Sequence, residues 1–467
     1  MPLASLAPTS SFSMISQALA EPVAHQLGNV CNLSLTMPEP TDSAPQQLKR
    51  VVGLPGAVTL GLGSILGTGV FVSLLFAVQL AGEWAVLSVA IAAGLAVCNG
   101  LSSAQLAASH PVSGGAYEYG YRFLNPTLGF NAGWMFLVAK GASAATAALA
   151  LGECVRLIVP GADAVDTRVF AGAAIAVLTG LVLSGVRRSV RVNAVIVGLV
   201  LPSLGVFAAT AFVHSTTSFS FRAETFSYSH VFHAAALSFV AYTGYGRVAT
   251  MGEEIRDPAR NIPRAVIATL VTTLVTYLVI TLAIVALVAP APNLNSADAA
   301  GSLDQLLSDG QTNSTAAAIV RAGAMIAMLG VLLNLILGLS RVALAMARRN
   351  DLPKFFSVIS QNNDSPHRAV ILVAVMITAL AMNGDLLRTW SISAFTVLIY
   401  YATANLCALR QPAEERRYSR LVSMAGFCGC LGLIPFLSPK TMVTGAGFMV
   451  AGFAVKLIAS IRQKKTL

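Results

Sequence analysis

Charge is scarce in this chain. Only 11% of its 467 residues are Asp, Glu, Lys or Arg, against about 25% in soluble domains. Hydrophobic residues make up 55%, and the mean hydropathy is +0.72. That balance excludes a soluble globular protein of this length, and with it a nucleic-acid reading of the net charge of +10. The chain also lacks an HExxH zinc motif, a GxxxxGK[ST] phosphate loop and a GxSxG elbow, the marks of zinc hydrolases, nucleotide-driven pumps and serine hydrolases. Ser113 and Ser340 have no evident base beside them, so no enzyme is expected and no cofactor is called for. The six cysteines, Cys31, Cys98, Cys154, Cys407, Cys428 and Cys430, lack metal-ligand spacing and imply no disulfide framework. Cys428 and Cys430 would point in different directions on a helix. His110 precedes Pro111 in a loop, and His214, His230, His233 and His367 stand near span ends, so no metal cluster is expected.

What fills the chain instead is apolar runs of bilayer length, roughly 20 residues each. Twelve spans are expected, at 51–79, 84–107, 126–156, 168–186, 191–213, 230–252, 264–289, 315–347, 368–384, 388–409, 419–437 and 441–461. The fold class is an all-α polytopic membrane protein. Residues 1–48, rich in Ser, Pro, Ala and Thr, read as a disordered cytoplasmic tail without a signal peptide. With the N-terminus inside, twenty loop Lys and Arg fall on the inner side, among them Arg122, Arg187, Arg188, Arg256, Arg348, Arg349 and Arg416. Six fall outside: Arg156, Arg168, Arg222, Arg321, Arg388 and Lys440. The positive-inside rule then sets both termini in the cytoplasm, as in a multi-pass protein of the plasma (inner) membrane.

The first span is interrupted by Gly61, Gly63, Gly67 and Gly69 in GLGSILGTGVF, residues 61–71. Glycine weakens a helix interior by roughly 1 kcal/mol relative to alanine. A break here would leave N–H groups free at the start of a second half-helix, suited to a carboxylate. Close helix packing through small residues is the other reading. The sixth span repeats the feature in SFVAYTGYGRVA, residues 238–249, with Gly244 and Gly246 beside Thr243. Spans one and six open two successive five-helix blocks, residues 49–213 and 214–410, with 411–467 remaining for the last two spans. Glycine-interrupted segments in corresponding positions point to an inverted-repeat transporter with a mid-membrane site.

These segments resemble the amino acid–polyamine–organocation (APC) family of amino acid permeases. GSILGTGVF is similar to that family's first-helix signature, and HPVSGGAYEY (110–119) to its first cytoplasmic loop. FVAYTGYGRVATMGEEIRDPARNIP (239–263) resembles helix six and its loop, and SRVALAMARRNDLP (340–353) the end of helix eight. The resemblance spans roughly residues 50–410 and implies a leucine-transporter-type 5+5 inverted repeat, with helices one and six broken, plus two extra helices. It implies that the substrate carboxylate meets the N–H groups of Gly67, Thr68 and Gly69. The ammonium would meet carbonyls of Ser64 and Ile65 with Phe239, Val240, Tyr242 and Thr243, under an aromatic lid from Phe239 or Tyr242. Two departures stand out. Some branches carry a coupling lysine midway along helix five where Val200 stands here, and Arg247 follows the second break where a small, amide or acidic residue is usual.

Ionisable residues inside spans are functional candidates, because each costs at least about 2.5–3.5 kcal/mol at the bilayer centre. Lys140, deep in the third span, is a candidate to stand in for the missing helix-five lysine in proton coupling, or else a structural ion pair. Arg247 is expected to pair with Glu118, Glu253 or Glu254 at a cytoplasmic gate, or to line the pocket. Arg341 is expected to reach the cytoplasmic side, and Glu253 and Glu254 to make solvated contacts with Arg256 or Arg260. Glu83, Glu153 and Asp163 are expected at the outer interface. The functional expectation is secondary transport of an amino acid, neutral because no acid in the pocket spans would hold a cationic side chain. Partners would be the bilayer and a co-transported proton or an exchanged amino acid. The competing expectation is an amino-acid sensor on a transporter fold that does not carry its ligand across.

Overall fold

The computed structural model describes residues 50–159, 161, 164–215, 223–288, 314–360 and 365–465. The N-terminal tail with Cys31 and Lys49, together with Asp163 and Arg222, lies outside the described residues. Each stretch read as a span is mainly helical over its described residues. The helices are α1 (Leu54–Gly63), α2 (Leu74–Ala81), α3 (Ala85–Ser109), α4 (Ala116–Phe123), α5 (Pro126–Ile158), α6 (Thr167–Leu183) and α7 (Val186–His214). They continue with α8 (Tyr228–Tyr242), α9 (Gly246–Thr250), α10 (Pro258–Val288), α11 (Ser314–Arg348), α12 (His367–Asn383), α13 (Leu386–Arg410), α14 (Arg420–Leu433) and α15 (Pro439–Lys465). No strand forms among the described residues, only isolated bridges Val52–Ile255 and Ser113–Met251.

Local chemistry sets the boundaries. Asn125 precedes Pro126 and its side chain accepts the Leu128 N–H at 2.8 Å, an N-cap with proline in the first turn. Asp166 and Asp385 cap α6 and α13 in the same way. The turn between α2 and α3 passes through Gly82 at φ 54°, a conformation that glycine adopts without steric penalty. The short helix α4, inside the loop between the second and third spans, was not expected from the sequence.

Six helical runs among the described residues are long and apolar enough to cross a membrane: Gly69–Ser109, Pro126–Arg156, Val190–His214, Pro258–Leu287, Thr315–Arg348 and Leu386–Arg410. Shorter apolar helices are Leu54–Gly63, Thr167–Leu183, His367–Asn383 and Arg420–Phe436. On α10, Ile267, Val271, Val275 and Val279 are exposed at four-residue spacing, while Leu270, Thr273, Tyr277, Ile280 and Ile284 are buried. An outer apolar stripe of that kind faces lipid, not water. The most apolar stretch of α5 is 100% buried by other helices, against 44% for α7. Helix α5 is therefore central, and α13, α11 and α6 pack around it.

One end of the bundle gathers acids from the loops onto arginines at the end of α11 and just past it. Glu254 pairs with Arg341 at 2.8 Å, Glu253 with Arg348 at 2.9 Å, and Glu118 of α4 with Arg349 at 2.5 Å. Asp351 takes Lys456 of α15 at 2.5 Å and the Tyr117 hydroxyl at 2.7 Å. The Ser113 N–H donates to Glu253 at 3.0 Å. Arg341 therefore does not reach the surface as expected. It is fully buried, and a guanidinium in that position requires a carboxylate. Glu253 and Glu254 answer to α11 and not to Arg256 or Arg260, because the chain after α9 turns under the bundle and pairs with Val51 and Val52. At the rim, His110 contacts Arg122, and burial, with Arg122 and Arg349 nearby, holds its imidazole below the usual range. At the opposite end, Glu153 binds Arg156 and Thr167, and Thr225 donates to Glu83. Cys428 is exposed and Cys430 buried, on different sides of α14 as expected.

Removing one partner of a buried pair strands the other. Glu254→Gln should lower stability by about 3–5 kcal/mol, whereas Glu415→Gln, in the half-exposed pair with Arg122, should change it by no more than about 1 kcal/mol. Thermal unfolding of the two variants in detergent checks the ordering.

Candidate functional site

Helix α1 stops at Gly63, and Ser64–Gly67 form a turn before the chain restarts at Thr68 as a π-helical segment, Gly69–Ser73, leading into α2. The end is tightened: the Ser64 N–H is shared by the Leu60 and Gly61 carbonyls, and the Gly67 N–H turns back to Ile65 O at 2.9 Å. Helix α8 ends at Tyr242, passes through a single 3-10 turn, Thr243–Tyr245, and resumes as α9. Irregular turns of both kinds recur at hinges and functional sites. Both glycine-marked interruptions are present, the second tighter than the first.

The breaks touch each other. A Cβ on Gly244 would lie 2.8 Å from the Ser64 carbonyl oxygen and collide with the Ile65 side chain. Close packing and breakage, posed as alternatives for the first glycine cluster, are both realised. Space at Gly63 is taken by Asn193 of α7, at Gly67 by Val331 and the Ala327 carbonyl of α11, and at Gly69 by Tyr277 of α10. The residues expected at the site, Ser64, Ile65, Gly67, Thr68, Gly69, Phe239, Val240, Tyr242 and Thr243, thus come together around one point. All are buried except Ser64, which is partly exposed.

Neighbouring side chains meet the carbonyls that the breaks release. The Tyr277 hydroxyl bridges them, reaching Ile65 O at 2.8 Å and Ala241 O at 3.2 Å. The Tyr401 hydroxyl donates to Thr243 O at 3.1 Å. Phe239 sits edge-on to Tyr401 with centroids 5.8 Å apart, and Tyr242 to Tyr277 at 4.9 Å. The Tyr242 hydroxyl is buried without a hydrogen-bond partner. Tyr277 and Tyr401 were not anticipated, since a tyrosine in an apolar run carries no local signal of its role.

Lys140 reaches the same place. Its ammonium hydrogen-bonds the Thr243 hydroxyl, and that hydroxyl donates to Val240 O at 2.6 Å. Among the described residues no carboxylate pairs with it. Val200 is fully buried on α7, one turn before Ser203, whose side chain fills the space at Gly323 of α11. Arg247 departs from expectation. It is 4% exposed, yet none of its three guanidinium nitrogens has a hydrogen-bond partner among the described residues. The three acids expected to pair with it are held by Arg348 and Arg341 on α11 and by Arg349 just past its end.

Two variants separate a site from mere packing. Gly244→Ala should cut ligand binding or uptake by more than tenfold, because its methyl must displace backbone. Tyr277→Phe should fold yet weaken binding several-fold, since it loses only the hydroxyl that spans both breaks. Radioligand binding to purified protein measures both.

The amino acid permease family profile matches residues 56–456. An uncharacterized transporter of Mycobacterium tuberculosis (strain ATCC 25618 / H37Rv) is 38% identical over 428 residues, covering 90% of this chain and 94% of that protein. A branched-chain amino acid permease of Bacillus subtilis (strain 168) is 28% identical over 450 residues, covering 91% and 96%. A vacuolar cationic amino acid transporter of Arabidopsis thaliana is 25% identical over 416 residues, covering 82% and 64%. With its apolar helices, the touching interruptions after α1 and α8 and the backbone groups that converge there, the chain is an integral membrane protein that belongs to the amino acid permease family, a transporter and not an enzyme.

Proposed function

We propose that the chain is a secondary transporter carrying a neutral amino acid by alternating access, in a proton-coupled or exchange mode, with Lys140 as the coupling group. The reading takes twelve crossings with both termini cytoplasmic, residues 49–213 and 214–410 as inverted repeats, and the two breaks as the substrate site. Thr68 and Gly69 would offer N–H groups to the carboxylate, and Gly67, whose N–H is turned back to Ile65 O, would join them only by giving up that contact. The carbonyls of Ser64, Ile65, Phe239, Val240, Tyr242 and Thr243 would face the ammonium.

The observation that carries this reading is the Lys140 contact with Thr243. A substrate ammonium beside Val240 O would stand one hydroxyl away from a second ammonium. Two unit charges of like sign 4 Å apart repel by about 4 kcal/mol at an effective dielectric constant of about 20. Lysine protonation and substrate occupancy are then linked, and the linkage is reciprocal. The same cation disfavours a substrate with a basic side chain. The apolar and aromatic lining from Val331, Phe239, Tyr242 and Tyr277 suits an uncharged one, and one relative is named for branched-chain amino acids.

The sign of the linkage is fixed by the repulsion. Bound amino acid favours neutral Lys140, so affinity should strengthen as pH rises, and Lys140→Met should bind with no such dependence. The decisive experiment is uptake of a panel of labelled amino acids into proteoliposomes, with and without an inward proton gradient. Uptake of neutral members, driven by the gradient or by preloaded amino acid, is the expected result. Preferential uptake of lysine or arginine would refute the substrate class, and full proton dependence in Lys140→Met would refute the role of the lysine. Binding without any flux would identify a sensor.

A further inference from the structure

Arg247 lies four residues past Thr243, on α9, between the second break and the ion-paired end of the bundle. Its side chain runs across Gly338 of α11: a Cβ there would stand 3.2 Å from Arg247 Cδ and 3.5 Å from Nη1. The glycine leaves the room that the guanidinium occupies. One turn further along α11 is Arg341, fully buried, whose Nε holds Glu254 and whose Nη1 donates to the Ser340 hydroxyl at 3.1 Å. Its Nη2 is buried with no hydrogen-bond partner, as are Nε, Nη1 and Nη2 of Arg247. Arg341 and Glu254 are the charges that act on Arg247. Two buried guanidiniums therefore share one carboxylate, with a net positive charge and four unsatisfied nitrogens.

Arginine does not release its proton in proteins, so the imbalance cannot be relieved by neutralisation. Buried unpaired charge is strongly unfavourable, and an unsatisfied buried donor calls for a specific explanation. The nearby acids offer none, since Glu253 and Glu118 are engaged with Arg348 and Arg349. We infer that Arg247 and the free edge of Arg341 form a second, anion-binding site beside the break that follows α8, with a net charge that one monovalent anion would balance. The anion is either the α-carboxylate of an amino acid on its way out of the site between the breaks or a free inorganic ion. Both present the same chemistry to a guanidinium: one negative charge and a compact acceptor.

The test needs no flux, so it stands apart from whether the chain transports. Purified protein in detergent is held at constant ionic strength in the sodium salt of a bulky sulfonate buffer and titrated with sodium chloride or sodium acetate. Thermal unfolding is followed throughout. The expected result is a saturable rise in melting temperature with at least one of the two salts. Its apparent affinity should weaken at least tenfold in Arg247→Met and be partly kept in Arg247→Lys. Arg247→Met removes an uncompensated charge and should melt at or above wild type in the sulfonate alone, so misfolding would not imitate the expected result. A chloride response to which amino acid adds independently assigns the site to an inorganic anion. An acetate response that bound amino acid abolishes, with no chloride response, assigns it to the substrate carboxylate. No saturable response to either salt in wild-type protein, or one that Arg247→Met retains in full, overturns the site.

Discussion

Two helices stop at the same depth of one bundle, and their ends touch. That contact constrains most of what surrounds it. Interrupting α1 at Ser64–Gly67 and α8 at Thr243–Tyr245 frees backbone groups where there is no water to receive them, and an apolar bundle must supply substitutes. The polar side chains in this region follow from that requirement. Tyr277 bridges Ile65 and Ala241, Tyr401 holds Thr243, and Lys140 engages the Thr243 hydroxyl. Gly244 is bound to its identity by the Ser64 carbonyl against it. Whatever further role Lys140 takes, its place and those of the two tyrosines answer first to this demand. They are consequences of placing two helix ends together.

The second constraint is electrostatic and lies at the basic end. Three acids from two loops meet Arg341 and Arg348 of α11 and Arg349 just past its end. The loop that carries Glu253 and Glu254 is continuous with α9, and α9 with the second break. Motion at the break is thereby tied to the pairing on α11. Opening this end would require separating at least the Glu253–Arg348 and Glu118–Arg349 pairs, which are only partly buried and so are weaker than Glu254–Arg341. A graded series of this kind, exposed at the rim and buried near the break, would let the end loosen while its innermost pair holds, as the proposed alternating access requires.

The breaks were legible because glycine is punctuation: clusters at 61–69 and 244–246 stand out in any apolar run. Lys140 was legible for a similar reason, as one charge in a long uncharged stretch. The partners were not. Glu254 and Arg341 are 87 residues apart, and Glu118 and Arg349 are 231 apart, so local spacing carries no trace of the pairing. Four acids and several arginines near span ends admit many matchings, and the one expected for Arg247 was not the one formed. Tyr277 and Tyr401 escaped notice because their role depends on which carbonyls a distant break has freed. Helix α4 was hidden in a short loop whose GG pair, at φ 122° and 58°, looks like a turn from sequence alone.

Lys140 and Arg247 flank the second break from different helices, and neither has a carboxylate of its own among the described residues. The first break adds the positive end of a half-helix dipole. Positive charge therefore converges on the junction from three directions, with the nearest acid, Glu254, already committed to Arg341. With the substrate seated as proposed, such a field would favour it by its carboxylate and oppose any further positive charge on it. The ammonium of a zwitterion can be tolerated beside freed carbonyls, but a second cation on the side chain would have neither partner nor water. On the proposed reading, the excess charge would bear on selectivity through the group it repels, excluding basic side chains more firmly than the apolar lining selects among neutral ones.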